Sequence, residues 1–482
     1  MMYHPDIASL RILQKQYEVI PIYLSIPYDG TDVLDIYHTF RGKYSFLLES
    51  GVQTYQGRYS IIALPCNDRF ISDGEKSYLI QDHHKTEYLG HPMKQLEKLL
   101  KKQSPIYPDI PVFTGGAIGH FNYDVIRLYE QLEDSDKNKL NLPLMQFGFV
   151  KELIVVDHER KQTYFIVNAD AEHCLTAYEA HCERIDEMMK QYQTITNFHA
   201  VPTQLERTLQ SSQTRESFQT MVKQAKDHIY AGDIFQIVLS QRLETTYEDD
   251  PLKAYANLRK LKASPYMYYL DFDSYVIAGA SPELLLQARG DHIKTMPIAG
   301  TRKRGKNEQE DALFMEDLKN DPKENAEHMM LVDLGRNDIG KVAKFHSVKV
   351  RHLKHIERYS HVMHMTSEVH GELKDGCSAF DAFASVLPAG TLSGAPKIRA
   401  MQLIDELENT RREVYGGAIG FIGFNQQFDT CITIRTFLFH NHKVYMQAGA
   451  GIVKDSDPDK EYQETMQKAA SLLSALGMEV TL

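Results

Sequence analysis

The stretch GGAIG occurs at residues 115–119 and again at 416–420, and the relation between its two copies decides how the halves of this chain are put together. Glycines inside a strand mark close backbone approach or a bulge. Two such strands pairing in one sheet would explain the echo, and so would a distant duplication. Five residues do not choose between them.

Outward from the first copy, KELIVVD and QTYFIVN flank HERK as two arms of a hairpin. Leu175, Tyr178, Ile185 and Met189 then recur near helical spacing, which predicts a helix over 171–192. The polar run 194–215 has no sustained apolar period and reads as a boundary. This divides the chain into an N-terminal region 1–195, a linker 196–213 and a second domain 214–482. Beyond it, Phe218, Met221, Val222, Ala225 and Ile229 form one helix face that Gly232 can end, and DIFQIVLSQRL continues as a strand. AIGFIGF, TCITIRTFLF and KVYMQAGAGIV supply further strands. Grouped strands with hairpin spacing favour an α+β arrangement over regular βαβ winding.

Composition excludes several classes of function. The 482 residues carry a formal charge of -11, so nucleic acid and anionic membranes are poor partners. The start, MMYHPDIASLRIL, lacks the apolar core of a secretory signal, and no run is long enough to span a bilayer. Cys66, Cys174, Cys182, Cys377 and Cys431 are scattered and odd in number, which points to a reducing cytoplasm.

Two acidic pairs carry the chemistry. In DPKENAEHMM (321–330), Asp321 and Pro322 start a helix, and Glu324 sits where a capping-box acid reaches back to the cap amide. Glu327 lies past the first turn, beside Met329, Met330, Leu331 and Val332, in a helix expected to be buried on most sides. A buried carboxylate there needs a cation or a donor. DPDKEYQET (457–465) repeats the pattern with Glu461 and Glu464, although Glu464 falls nearly opposite the apolar stripe, where Lys468 can pair with it. Together the two pairs could hold one hard divalent cation, and magnesium suits them, since no HExxH or CxxC pattern favours zinc. Glycine-rich LPAGTLSGAPK (387–397) and QAGAGIVK (447–454) offer backbone amides to an anion. Arg435, set among apolar residues in CITIRTF, is either a guanidinium for a ligand carboxylate or half of a salt bridge within the sheet.

PIAGTRKRG, NAEHMMLVDLGRNDIGKV, HVMHMTSEVHGEL, LPAGTLSGAPK, YGGAIGF and AGAGIVKDSDPDKEYQET resemble the chorismate-utilising enzymes, and among them the anthranilate synthase component I branch. SFLLES, GRYS and GGAIGHFNYD extend the resemblance into the first half. It implies large, mainly antiparallel sheets packed as a sandwich with helices outside. Glu327 and Glu464 would be magnesium ligands with Glu324 and Glu461 close by, the metal holding the ring carboxylate of chorismate. Tyr415 and Arg435 would take the enolpyruvyl carboxylate, aided by amides near Gly449 and Gly451 and by Lys454. Thr391 would sit in the pocket, Glu283 would act as general acid, and His364 would shuttle or orient near the second step, with His328 and His361 as neighbours. Gln236 stands where water-adding relatives have a lysine base, and Ala299 where aminodeoxychorismate-forming relatives carry a nucleophilic lysine, which leaves direct attack by ammonia. The ammonia would come from a separate glutamine amidotransferase subunit. Glu49, Ser50, Arg58, Pro265, Tyr266 and Met267 resemble a feedback site for tryptophan, although GVQTYQ (51–56) departs from the form usual in the family. A synthase that stops at an amino intermediate, or a catalytically silent tryptophan-binding regulator, are the competing expectations. The chain itself contains no tryptophan, which would let a cell short of that amino acid still make the protein.

Overall fold

The computed structural model describes residues 2–50, 58–82, 84–111, 113–132, 137, 140–200, 208–359 and 362–478. The two GGAIG copies meet in it. Strand Gly116–Phe121 pairs antiparallel with Ala418–Gly423, and Gly119 stands opposite Gly420. A Cβ on Gly119 would lie 2.0 Å from the Gln146 carbonyl oxygen, and one on Gly420 2.0 Å from that of Asp429. Only glycine lets these backbones approach so closely.

Among the described residues there are two sheets of twelve strands, overwhelmingly antiparallel. The first contains Val19–Pro27, Phe46–Glu49, Tyr59–Ala63, Glu152–Asp157 and Gln162–Asp170, and joins them to Gln236–Thr246, Tyr266–Asp271, Tyr275–Ser281, Thr436–His440 and Lys443–Ile452. The second unites Gly116–Phe121 and Met145–Val150 with Leu284–Arg289, Ile298–Lys303, Val362–Glu372, Ala418–Gly423 and Gln427–Ile432. Both sheets therefore draw on residues 1–195 and on 214–482. The expected division at 196–213 separates stretches of sequence and does not separate sheets, because Phe46–Glu49 pairs with Tyr266–Asp271 across it.

Side-chain alternation sorts the core into layers. Phe46, Ile61, Ile118, Ile277, Ile419 and Cys431 face inward between the sheets. Leu47, Ile62, Ile154 and Met267 point out of the first sheet onto Ile36, Ile185, Leu252 and Leu472 of its covering helices. Ala117, Leu286 and Ile422 point out of the second onto Val332, Ile339 and Phe383. The α+β sandwich with outer helices is the architecture observed.

Local expectations hold in the main. Glu152–Asp157 and Gln162–Asp170 form the hairpin, and helix Arg215–Ala231 ends at a left-handed Gly232. The helix predicted over 171–192 is shorter, Tyr178–Tyr192, since 171–177 close as turns in which the Thr176 hydroxyl bonds the His173 carbonyl. TCITIRTFLF is two strands. Gln427–Ile432 belongs to the second sheet and Thr436–His440 to the first, with Arg435 at φ 51° in the break.

Candidate active site

Two of the places where the chain changes sheets lie side by side. Tyr275–Ser281 in the first sheet passes through Pro282 and Glu283 into Leu284–Arg289 of the second, while Gln427–Ile432 returns through Arg435 to Thr436–His440. The two crossings are stitched together, the Ile432 amide donating to the Glu283 carbonyl at 3.0 Å and the Ala280 amide to that of Arg435 at 3.2 Å. One corner of the sandwich thus presents a glutamate and an arginine. A non-glycine residue at positive φ is uncommon and carries a cost, and here the cost turns the chain at Arg435.

Glu283 is 6% exposed. Its Oε1 accepts a hydrogen bond from Thr391 Oγ1 at 3.0 Å. Burial drives its pKa up to about 8, with Thr391, Arg435 and the Ile298 amide opposing. The carboxyl is therefore largely protonated at neutral pH and can donate. Arg435 makes neither a salt bridge nor a side-chain hydrogen bond among the described residues, so the salt-bridge reading of its sequence is not what the fold contains. Burial pulls its pKa below the ordinary value, while Glu283 and Tyr359 work against that.

The two acidic pairs converge on this side of the molecule. Helix Pro322–Gly340 is capped as expected by Asp321, which accepts from the amides of Lys323 and Glu324. The reciprocal capping-box bond is not made, because Glu324 instead binds Arg302 at 2.9 Å, and Arg302 also holds Asp321 and Asp317. Nor is this helix buried on most sides. Its buried side chains are His328, Leu331, Val332, Asp338 and Ile339, and Glu327 is only partly covered. Helix Pro458–Ala475 is capped by Asp457, and Glu464 pairs with Lys468 at 2.7 Å. Burial first, then the charges of Glu324 and Glu464, hold Glu327 above the usual carboxylate range. Glu461 is raised likewise by burial, with Glu464 adding to it. Lys323 and Lys468 act on both Glu327 and Glu461, so the helices bring their acids to one place.

No group of three or more histidine, cysteine, aspartate or glutamate side chains is arranged to hold a metal ion among the described residues; Lys468 and Arg302 take up Glu464 and Glu324 instead. The donor chemistry nevertheless fits a hard dication. Four carboxylates gather without a thiolate, and two of them, Glu327 and Glu461, are destabilised as anions by burial and by their acidic neighbours.

Around these groups lie the remaining expected residues. Tyr415 is buried against Gly449, where an added Cβ would lie 2.8 Å from its hydroxyl. Lys468 donates to the Gly449 carbonyl at 2.9 Å, joining the strand to the acids. A Cβ on Gly451 would come within 3.0 Å of Gln236 Nε2. Gly300 faces Glu324 and follows Ala299, which pairs with Met365, next to His364. His364 Nδ1 lies 3.2 Å from the Gly300 carbonyl and 3.0 Å from Thr301 Oγ1, which assigns its proton to Nδ1. Burial and Arg435 push its pKa down to about 4, so the ring is neutral. His328 is fully buried, bonded to Ser367 at 2.6 Å, and has a structural place. His361 lies outside the described residues. Lys454 stands apart in environment: it is exposed, with its ammonium 5.6 Å from the Tyr230 ring centroid.

Sequence reasoning missed the scaffold behind Tyr415. Glu408 and Arg412 form a buried ion pair in which Glu408 accepts from Arg412 Nε and Nη2 and from the Ser240 amide and hydroxyl. Arg412 also donates to the carbonyls of Leu392 and Val238. One guanidinium therefore ties the Thr391 loop to the strand opposite Gly451. It missed Lys262 as well, which carries no motif.

The six expected inhibitor-site residues, Glu49, Ser50, Arg58, Pro265, Tyr266 and Met267, all line one cavity of about 1680 Å³. Glu49 stands opposite Met267 in register, accepts a hydrogen bond from Tyr255 at 2.5 Å and pairs with Arg259 at 3.0 Å. Tyr266 donates to Asp429 at 3.0 Å. Arg58 is committed to Asp157 and Glu159. The atypical segment 51–56 lies outside the described residues.

A family model described as chorismate binding enzyme matches residues 43–474. Anthranilate synthase component 1 of Acetivibrio thermocellus is 42% identical, covering 98% of this chain and 99% of that protein. Its counterpart from Aquifex aeolicus is 40% identical, covering 98% and 97%. The crystal structure of anthranilate synthase component I from Streptococcus pneumoniae superimposes with a TM-score of 0.78 at 35% identity, over 93% of this chain and 98% of that one. MenF, the menaquinone-specific isochorismate synthase of Escherichia coli, shares the fold at 19% identity and a TM-score of 0.70, over 97% and 98%.

Proposed function

The chain belongs to the chorismate binding enzymes, and on that premise we propose that it is the large subunit of an anthranilate synthase, converting chorismate and ammonia to anthranilate and pyruvate in the cytoplasm. The observation that carries this reading is the corner of the sandwich, where a protonated Glu283 and an Arg435 without a salt bridge among the described residues stand on the side where two pairs of acids converge.

Glu327 and Glu464, with Glu324 and Glu461 near them, would hold magnesium, which supplies a positive charge for the ring carboxylate of chorismate. Arg435 and Tyr415 hold the enolpyruvyl carboxylate, with the backbone near Gly449 and Gly451 alongside. Ammonia forms a bond to carbon 2 as the ring double bonds shift and the carbon–oxygen bond at carbon 4 breaks. Glu283 gives its proton to the departing hydroxyl, which leaves as water, and the surplus proton of the new amine returns the carboxyl to its acid form. The resulting aminodeoxyisochorismate then loses its ring proton and its enolpyruvyl group as pyruvate. His364, neutral and with its Nδ1 proton engaged by Gly300, has Nε2 free to orient or accept at this step. Gln236 cannot deprotonate water, and Ala299 offers no nucleophile.

Free ammonia is scarce at neutral pH, so a glutamine amidotransferase partner would supply it. Tryptophan binding in the cavity beside Glu49 and Tyr266 would inhibit. Since the chain has no tryptophan, the fluorescence of a bound indole, excited beyond the tyrosine absorption band, reports its occupancy without an indole background from the protein.

The decisive assay combines purified chain, chorismate, ammonium and magnesium, and follows anthranilate fluorescence with and without chelator. Chelator-sensitive anthranilate supports the reading. Accumulation of an amino intermediate without pyruvate would make it an aminodeoxychorismate or aminodeoxyisochorismate synthase. Tryptophan binding with no turnover would make it a regulator.

A further inference from the structure

Lys262 lies between helix Pro251–Leu261 and strand Tyr266–Asp271. The sheet register fixes where that puts it. Tyr266 pairs with Ser281, two residues before Glu283, and Gly279 pairs with Thr436, directly after Arg435. The start of one strand, the end of the next and the start of a third therefore share one end of the first sheet. Lys262 enters at that end, beside the corner that carries Glu283 and Arg435.

Its ammonium has no carboxylate to answer it. Lys262 is half-buried and forms no salt bridge or side-chain hydrogen bond among the described residues. The charged groups that act on it and its neighbours are those of the crevice: Arg435 bears on Lys262, and both bear on His364, with Glu283 and Tyr359 beyond Arg435. Lys262 does not line the large cavity that begins three residues later at Pro265. Of the other cations of that helix, Arg259 is committed to Asp32 and Glu49 and Lys253 to Asp249, while Lys260 is exposed and bears on Asp32. Two cations that repel each other across a partly desolvated space, neither salt-bridged among the described residues, form a site that a carboxylate ligand would complete.

We propose that Lys262 is a substrate-binding residue that shares with Arg435 the carboxylate of the substrate's side chain. The assignment rests on the chorismate reading above and deepens it. In the free protein, burial followed by the charge of Arg435 brings the Lys262 pKa down to about 8, which keeps most of the ammonium charged at neutral pH, and a bound carboxylate raises it again.

The test is Lys262→Met, which keeps the apolar stem, beside Lys262→Arg, which keeps the charge. With ammonium and magnesium saturating, Lys262→Met raises KM for chorismate about 10- to 100-fold, the loss of one charge-assisted hydrogen bond, and leaves kcat within a few-fold. Lys262→Arg restores KM. Wild-type KM climbs above about pH 8 as the lysine loses its proton, and in Lys262→Arg that climb shrinks to what the ionisation of Glu283 contributes. An unchanged KM in Lys262→Met, or a change in tryptophan inhibition alone, overturns the assignment. So does a rise in KM that tracks a lowered Tm and is not rescued by arginine. Calorimetric titration of chorismate without ammonium separates the inference from the reaction. If the wild type binds chorismate but makes no anthranilate, the catalytic reading fails, and the affinity ratio of the two variants still decides Lys262. If it binds no chorismate, both fall.

Discussion

Glu283 and Glu408 are both buried glutamates beside the same crevice, and their surroundings differ in one respect. Glu408 receives four donors, two of them from Arg412, and ties a loop to a strand. Glu283 receives the Thr391 hydroxyl, and the Ile298 amide and Arg435 bend its titration without an ion pair being formed. The satisfied carboxylate builds the wall; the undersatisfied one keeps a proton to give. Burial alone does not mark a catalytic acid, and the count of donors separates the two cases.

Glu283→Gln tests this most severely. The amide cannot protonate a leaving hydroxyl, so kcat for anthranilate formation falls about 10²- to 10⁴-fold, while the fold gains. The sign follows from the raised pKa: unfolded Glu283 ionises near its ordinary 4.5 and folded Glu283 near 8, so its contribution to stability declines as pH climbs through that window. Glutamine removes a penalty of up to about 3 kcal/mol at pH 7, and thermal unfolding of the variant at pH 5 and pH 7.5 reads it. A variant that loses both activity and stability would place Glu283 with Glu408.

The mirror experiment is Glu408→Ala. It leaves the Arg412 guanidinium buried and unanswered, which costs about 3–5 kcal/mol, and denaturant unfolding detects the loss. Stability equal to wild type would show that water already answers Arg412 there. A smaller effect comes from pH: with chorismate and magnesium saturating, kcat declines above pH 8 as Glu283 ionises. The smallest comes from Thr391→Val. Its hydroxyl favours the ionised form of Glu283, so its removal moves the alkaline limb upward by less than about one pH unit. A downward shift would reverse the assigned role of that hydrogen bond.

The sequence made some of this plain. Asp-Pro starts announced both acid-bearing helices because a cap and a fixed φ are local properties. The glycine echo announced a close contact, and the family resemblance singled out Glu283 and Thr391, which the fold joins by a hydrogen bond. The corner itself was hidden. Cys431, Ile432, Thr436 and Phe437 are all buried, so alternation runs through the break between sheets without a mark, and a positive φ at an arginine leaves no trace in composition. Arg302 was hidden for another reason: whether Glu324 turns to its cap amide or to a guanidinium is decided by a strand twenty-two residues earlier. Lys262 sits in no periodic pattern, and its place depends on pairings between strands far apart in sequence.

The glycine seam between Gly116–Phe121 and Ala418–Gly423 also governs how the molecule comes into being. On the ribosome the first of these strands emerges roughly 300 residues before its partner, and pairing at such separation is intrinsically slow. Until then a nascent chain exposes sticky edges, and chaperones have reason to attend it. A gene cut at the linker would yield two pieces, each lacking strands from both sheets, that become soluble only when made together.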